Sequence, residues 1–214
     1  MNGDEYNQDY FERGIELGIS GYHNYRWMPE FTIPMAMTMI DYLNIRRGDL
    51  ILDYGCAKGY LVKAFRLLYR QAWGCDISKY ALSMCDPDVS PFCHLIGSMK
   101  PLGFPRRFNV CIAKDVLEHL DEGEVGAVLE KIGDKSDLLF AIIPLGKDQC
   151  YVAPINNVDI THKLCCEEEW WEKKFKEHGW KLRELRFRID GIKDHFYEKY
   201  PKAHGFFLLE KELW

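Results

Sequence analysis

The chain has 214 residues, a formal net charge of −5, and 47% hydrophobic, 14% aromatic and 29% charged residues. At about 150 residues per domain this is one large domain, or one domain with an appendage, and it is long enough to bury roughly 70% of the surface its unfolded chain would expose. Disorder, collagen and coiled coil are excluded by that composition.

No apolar run approaches the roughly 20 residues that a membrane-spanning helix needs, and the start MNGDEYNQDY is neither basic nor apolar. Residues 151–214 balance twelve basic against twelve acidic side chains, so the excess acid lies in the first 150, and neither part reads as a basic platform for phosphate backbones. The expectation is a cytoplasmic protein, monomer or homodimer, with no membrane span and no nucleic-acid partner. Eight cysteines are scattered without a C-x-x-C pair, and several sit inside apparent strands, so they read as reduced core thiols.

In chain order, residues 1–47 carry a helical stretch at 10–17, the aromatic segment GYHNYRWMPE and an amphipathic run at 33–43. They read as an N-terminal helical extension, serving either as a lid or substrate-binding segment or as an aromatic staple onto the core. Apolar runs of strand length then alternate with helical periodicity: 50–54 before 61–68, 72–76 before 79–84, 109–113 before 125–132, and 138–143 before 170–175, with Trp170 and Trp171 plugging the last helix into the sheet. Such alternation predicts right-handed βαβ units and a parallel sheet. Two further strand-like runs, 180–188 and 205–213, lack a full helix between them and predict an antiparallel closing pair. The fold class expected is α/β: a Rossmann-like seven-stranded, mostly parallel sheet with one antiparallel strand near the C-terminus and helices on both faces, spanning 48–214.

The strongest local signal is LILDYGCAKGYL at 50–61, a buried strand ending in an acid and then small residues before a helix. Ligands approach the backbone at such places, on the carboxyl edge of a parallel sheet. The dinucleotide fingerprint G-x-G-x-x-G fits poorly, because its third glycine would fall at Tyr60. A second strand ends in Asp76, seventeen residues after Gly59, followed by Ile77 and Ser78. Taken singly, Asp53 and Asp76 could be turn or helix caps and the glycines turn residues.

The set D-x-G-x-A-x-G at 53–59, the acid at 76, Gly97-Ser98-Met99 after a third strand, and KDVLEHL at 114–120 together resemble class I S-adenosylmethionine-dependent methyltransferases over roughly residues 48–180. The resemblance implies S-adenosyl-L-methionine as cofactor, held by Asp53, Gly55, Ala57, Gly59, Asp76, Ile77, Ser98 and Lys114. The wider pattern, from Y-F-E-x-G to DYGCAKGYLVKA, is similar to small methyltransferases of bacterial surface-polysaccharide synthesis. That similarity implies O-methylation of a hydroxyl on a sugar, glycan or other small molecule. A small-amine N-methyltransferase and a non-catalytic binding subunit of the same fold remain the alternatives.

An aliphatic hydroxyl attacks a sulfonium methyl poorly while protonated, so an O-methyltransferase needs a base or a metal that acidifies it. Glu118, His119 and His162 are the catalytic candidates, His119 and His162 as bases. With Asp115 at i, i+3 and i+4 from Glu118 and His119 on one helix face, the four residues also form a donor set for Mg, Mn or Zn. The pattern is similar to E-x-x-E-H plus a later His in metal-dependent O-methyltransferases of ubiquinone biosynthesis and small-RNA methylation, although the first Glu is Asp115 here. A metal-free turn with a capped, hydrogen-bonded His is the alternative reading of the same residues.

Overall fold

The computed structural model describes residues 2–97 and 102–212. Five strands, β1 (Leu50–Tyr54), β2 (Gln71–Asp76), β3 (Cys93–Leu95), β4 (Val110–Lys114) and β5 (Leu138–Pro144), pair in parallel in the order β3-β2-β1-β4-β5. A two-stranded hairpin, β6 (Gly146–Lys147) and β7 (Cys150–Tyr151), follows outside that sheet. The sheet is completed by β8 (Trp180–Arg186) and β9 (His204–Lys211), in the order β5-β9-β8. β9 runs antiparallel to both neighbours, from Leu138↔Glu210 to Pro144↔His204 on one side. The sheet is therefore seven-stranded with one reversed strand, as the alternation of apolar runs predicts.

The pleat assigns the core. On β1 and β5, Ile51, Phe140 and Ile142 pack with Met39 of α3 (Pro29–Tyr42) and Phe65 of α4 (Tyr60–Leu67) on one face. Leu52, Leu139, Ala141 and Ile143 belong to the other cluster, with Leu129 of α6 (Glu122–Gly133) and Trp171 and Phe175 of α7 (Glu168–Glu177). Strands covered on both faces lose the polar alternation of a half-exposed sheet, which is why they read as continuous apolar runs. Trp171 is fully buried, as the sequence predicts for the helix plug. Local chemistry starts the helices: Asp121 and Glu124 form a capping box on α6, and Ser78 caps α5 (Lys79–Ser83) by accepting from the Ala81 N–H at 2.9 Å.

The N-terminal segment, with short helices α1 (Gln8–Glu12) and α2 (Gly14–Leu17), lies on the carboxyl edge of the strands. The Ser78 hydroxyl donates to the Tyr6 carbonyl at 2.5 Å, and Lys58 Nζ reaches Glu12 at 2.5 Å and the Tyr25 carbonyl at 2.6 Å. Tyr6, Tyr10, Phe11, Tyr22, Tyr25 and Tyr80 form a small aromatic core above the glycine loop. One further helix, α8 (Asp194–Tyr197), sits between β8 and β9.

Candidate active site

β1 ends in a loop that passes through the left-handed region three times, at Gly55 (φ 81°), Ala57 (φ 47°) and Gly59 (φ 73°). Glycine takes this conformation freely, whereas Ala57 needs an external anchor. Asp76, at the end of β2, supplies it by accepting from the Ala57 N–H at 2.7 Å, and it also accepts from the Ser78 N–H at 2.7 Å. The Cys75 carbonyl accepts from both Gly55 and Cys56 N–H groups at 2.8 and 3.1 Å. The glycine loop is thus stitched to the end of the neighbouring strand. Burial pushes the Asp76 carboxyl above its usual range, against the pull of these N–H donors.

Asp53, one strand over, is almost fully buried and its carboxyl makes no hydrogen bond among the described residues. Burial pushes it up to about 7, opposed by Lys114 and reinforced by Asp76. An unpartnered acid at this strand end suits a cationic ligand group, and Asp76 keeps acceptor capacity beyond its two N–H bonds. This is the chemistry that an amino acid joined to a ribose requires, so the residues present fit S-adenosylmethionine.

A second group of polar side chains follows β4. The chain enters the left-handed region at Asp115 (φ 55°), and a single 3-10 turn, Leu117–His119, follows. Glu118 and His119 face inward from this turn. His162 joins them from the loop ahead of α7, which the Glu118 carbonyl ties down by accepting from the Lys163 and Leu164 N–H groups, both at 2.9 Å. One donor atom each from Glu118, His119 and His162 lies within 4.8 Å of the others.

The protons of the imidazoles follow from their partners. His162 Nδ1 lies 2.8 Å from the Asn156 carbonyl, which only accepts, so Nδ1 carries the hydrogen. The Thr161 hydroxyl donates to Asp159 Oδ1 at 2.6 Å, so its oxygen accepts from His119 Nδ1 at 2.8 Å. Both Nε2 lone pairs therefore look at Glu118, each 3.9 Å from its Oε1. Glu118 is fully buried and neither carboxyl oxygen has a hydrogen-bond partner. Burial, with Asp115 nearby, pushes its carboxyl well above the usual range. Burial and then His162 push His119 down to about 4. Asp159 closes the far side: its Oδ2 stands 3.9 Å from His162 Nε2 and accepts the Tyr10 hydroxyl at 2.7 Å.

Residues 52–132 match the family described as a methyltransferase domain. Over those residues the chain is similar to a methyltransferase domain. Solved structures share the fold. An S-adenosylmethionine-dependent methyltransferase from Clostridium acetobutylicum is 14% identical with a TM-score of 0.63, over 87% of this chain and 93% of that one. A chain in the complex of the Haloferax volcanii Trm112 activator with a putative methyltransferase is 13% identical with a TM-score of 0.66, over 87% and 92%. The Burkholderia thailandensis 1,6-didemethyltoxoflavin-N1-methyltransferase, bound to S-adenosylhomocysteine, is 13% identical with a TM-score of 0.59, over 85% and 79%. No curated protein sequence matches the chain.

Within the matched residues, Asp53, Gly55, Ala57, Gly59, Asp76, Ile77 and Lys114 lie at the ends of β1, β2 and β4, on one edge of the sheet. Ser98 lies outside the described residues. The structure brings Glu118, His119 and His162 together and leaves Asp115 out. The positive φ at 115 and the 3-10 turn break the regular helix face that would align the four, and the Asp115 carboxylate instead lies between Lys114 Nζ (2.6 Å) and Lys193 Nζ (2.7 Å). These lysines hold it well below the usual carboxylate range against its burial. Lys193 also donates to His204 Nε2 at 3.0 Å. Tyr10, Thr161, Lys193 and His204 carry no motif in the sequence. Only the short string Asp159-Ile160-Thr161-His162 signals the support of the imidazoles.

Proposed function

We propose that the protein is an O-methyltransferase that moves the methyl group of S-adenosylmethionine to a hydroxyl of a sugar, glycan or other small molecule, and that Glu118, His119 and His162 hold a divalent ion beside the acceptor. The observation that carries the reading is the fully buried, unpartnered Glu118 carboxyl facing two unprotonated imidazole nitrogens at 3.9 Å. Three acceptors pointed at one another repel unless a cation or proton lies among them. A carboxylate and two imidazoles oriented from behind by a hydroxyl and a carbonyl are a chemically coherent donor set for Mg, Mn or Zn. When bound, such an ion would lower the pKa of the acceptor hydroxyl.

The remaining roles fall to the protein's own groups. Asp53 would accept from the cofactor's ammonium and Asp76 from its ribose hydroxyls, holding it at the strand ends. Glycines 55 and 59 let the backbone turn there without side chains. Methyl transfer is an in-line displacement, so alignment of acceptor oxygen, methyl and sulfur supplies much of the rate. His119 and His162 are neutral at physiological pH, with Thr161 and the Asn156 carbonyl fixing their tautomers, so each Nε2 offers one lone pair: it would ligate the ion, and only without the ion could it take the hydroxyl proton. Residues 1–47 act as the substrate-side extension, and 48–214 form the cofactor-binding domain.

The test is direct. Transfer of labelled methyl to a panel of nucleotide sugars and glycans should occur, should stop with a chelator and should return with one of the three metals. Transfer to hydroxyl acceptors that is indifferent to chelation, to His119→Ala and to His162→Ala would remove both metal and base. Uptake by amines alone would replace the reading with N-methylation.

A further inference from the structure

The opposite, amino-terminal edge of the sheet gathers arginines that are far apart in the chain. Arg47 precedes β1, Arg66 and Arg70 flank the C-terminus of α4, and Arg106 precedes β4. Arg47, Arg66 and Arg70 line an open hollow of about 510 Å3 together with Tyr69, Gln71 and Trp73. That volume falls in the range of small-ligand clefts, about 300–1,000 Å3. β1 is five residues long, which at about 3.3 Å per residue puts this edge on the order of 16 Å from the glycine loop.

What holds these guanidiniums is neutral. Arg70 donates to the carbonyls of Ile45 (3.3 Å) and Leu68 (3.0 Å), and Arg66 to that of Ala72 (3.2 Å). Arg47 lies over the Tyr69 ring at 5.7 Å and Arg106 over Trp73 at 4.9 Å. Among the described residues none of the four makes an ion pair with a carboxylate, in a chain whose net charge is −5. Carbonyls and ring faces fix the planes of the guanidiniums, leave N–H groups free and leave the charge uncompensated, which is the arrangement that recognises phosphate in bidentate fashion. Beside them Tyr69 is 75% exposed and left-handed (φ 57°), an uncommon conformation for a bulky residue, with its ring displayed to solvent. Arg107, next to Arg106 in the chain, differs in being paired with Asp137 at 2.5 Å. A polymer would need a track of such contacts, whereas one hollow suits one compact anion.

We infer that this hollow is a second binding site, for a phosphorylated small molecule of nucleoside-diphosphate size, with its phosphates on Arg47, Arg66 and Arg70 and its flat ring on Tyr69. The site is independent of the methyl-transfer reading. Uridine diphosphate and inorganic pyrophosphate are titrated calorimetrically into the full chain with S-adenosylhomocysteine in saturating amount, so that the cofactor site is closed to the probe. Both should bind saturably and weaken with added salt. Arg47→Glu should weaken both by about tenfold or more, and Tyr69→Ala should weaken uridine diphosphate but not pyrophosphate. Both side chains are exposed, so the S-adenosylhomocysteine affinity of each variant reports an intact fold. Absence of saturable binding at millimolar probe in low salt, or affinities unchanged by Arg47→Glu, would overturn the site. Binding of single-stranded RNA through Arg47 without binding of uridine diphosphate would overturn the ligand class.

Discussion

Glu118 is the residue on which the proposed chemistry turns. A buried carboxyl without a donor is costly whether charged or neutral, and the structure keeps it between two imidazoles whose other nitrogens are already committed. A divalent ion should therefore raise the melting temperature of the wild type and leave that of Glu118→Gln unchanged, since the amide keeps the volume and removes the ligand charge. Equal shifts for both proteins in a thermal scan would count against these ligands. Asp76 allows a second test. Its carboxylate serves the Ala57 and Ser78 N–H groups, and by the functional reading the ribose as well. Asp76→Ala should weaken S-adenosylhomocysteine binding about tenfold or more and also lower stability by about 1–3 kcal/mol, because two N–H groups lose their acceptor. Loss of stability with unchanged affinity would leave Asp76 a purely structural anchor. The glycine loop is legible in the sequence because its demands are local: an acid ending a strand, small residues where φ is positive, an acid ending the next strand. The departure of Asp115 is not legible, because it depends on a turn type and on Lys193, which lies 78 positions further along.

At the scale of elements, the pattern of βαβ units reads directly from apolar periodicity, whereas the N-terminal extension does not reveal its own placement. Its aromatic residues mark only a surface that must be covered. The structure shows what they meet: Tyr25 packs against Tyr22 at 4.7 Å, Tyr60 at 5.2 Å and Phe11 at 5.7 Å, while Trp27 touches Tyr60 at 5.9 Å and lies under Lys63. Tyr25→Ala should then cost about 1–3 kcal/mol, or roughly 2–10 °C in a chain of this size, and Trp27→Ala less. An unchanged melting temperature for Tyr25→Ala would show that the aromatic cluster carries no stability. The same segment ties Glu12 and the Tyr25 carbonyl to Lys58 inside the glycine loop, so the extension is anchored on the loop itself. Hydrogen exchange in residues 8–27 should slow when S-adenosylhomocysteine binds; exchange that ignores the ligand would uncouple the extension from the loop.

For the whole molecule, the reversal of β9 follows from two strand-like runs without a helix between them, and so was within reach of the sequence. Which surfaces end up charged was not. The arginines at 47, 66, 70 and 106 look dispersed in a mildly acidic chain, and only the parallel sheet brings them to one edge. The same closure produces the clearest dependence on pH. β9 begins at His204, which is fully buried opposite Pro144, accepts from Lys193 through Nε2 and has no partner for Nδ1. Burial, reinforced by Lys193, pushes its pKa down to about 2. In the unfolded chain the same imidazole titrates near 6.5, so below that pH the unfolded state binds a proton that the native state refuses, and stability falls as pH falls. The slope is about 1.4 kcal/mol per pH unit for each such proton. His119, at about 4, acts in the same direction over the upper part of the window. His204→Leu should therefore flatten the fall in unfolding free energy between pH 6 and 4 by close to one proton, whatever the substitution does to stability at pH 7. Urea titrations at each pH give that slope, and parallel slopes for the two proteins would show that His204 takes up its proton without unfolding.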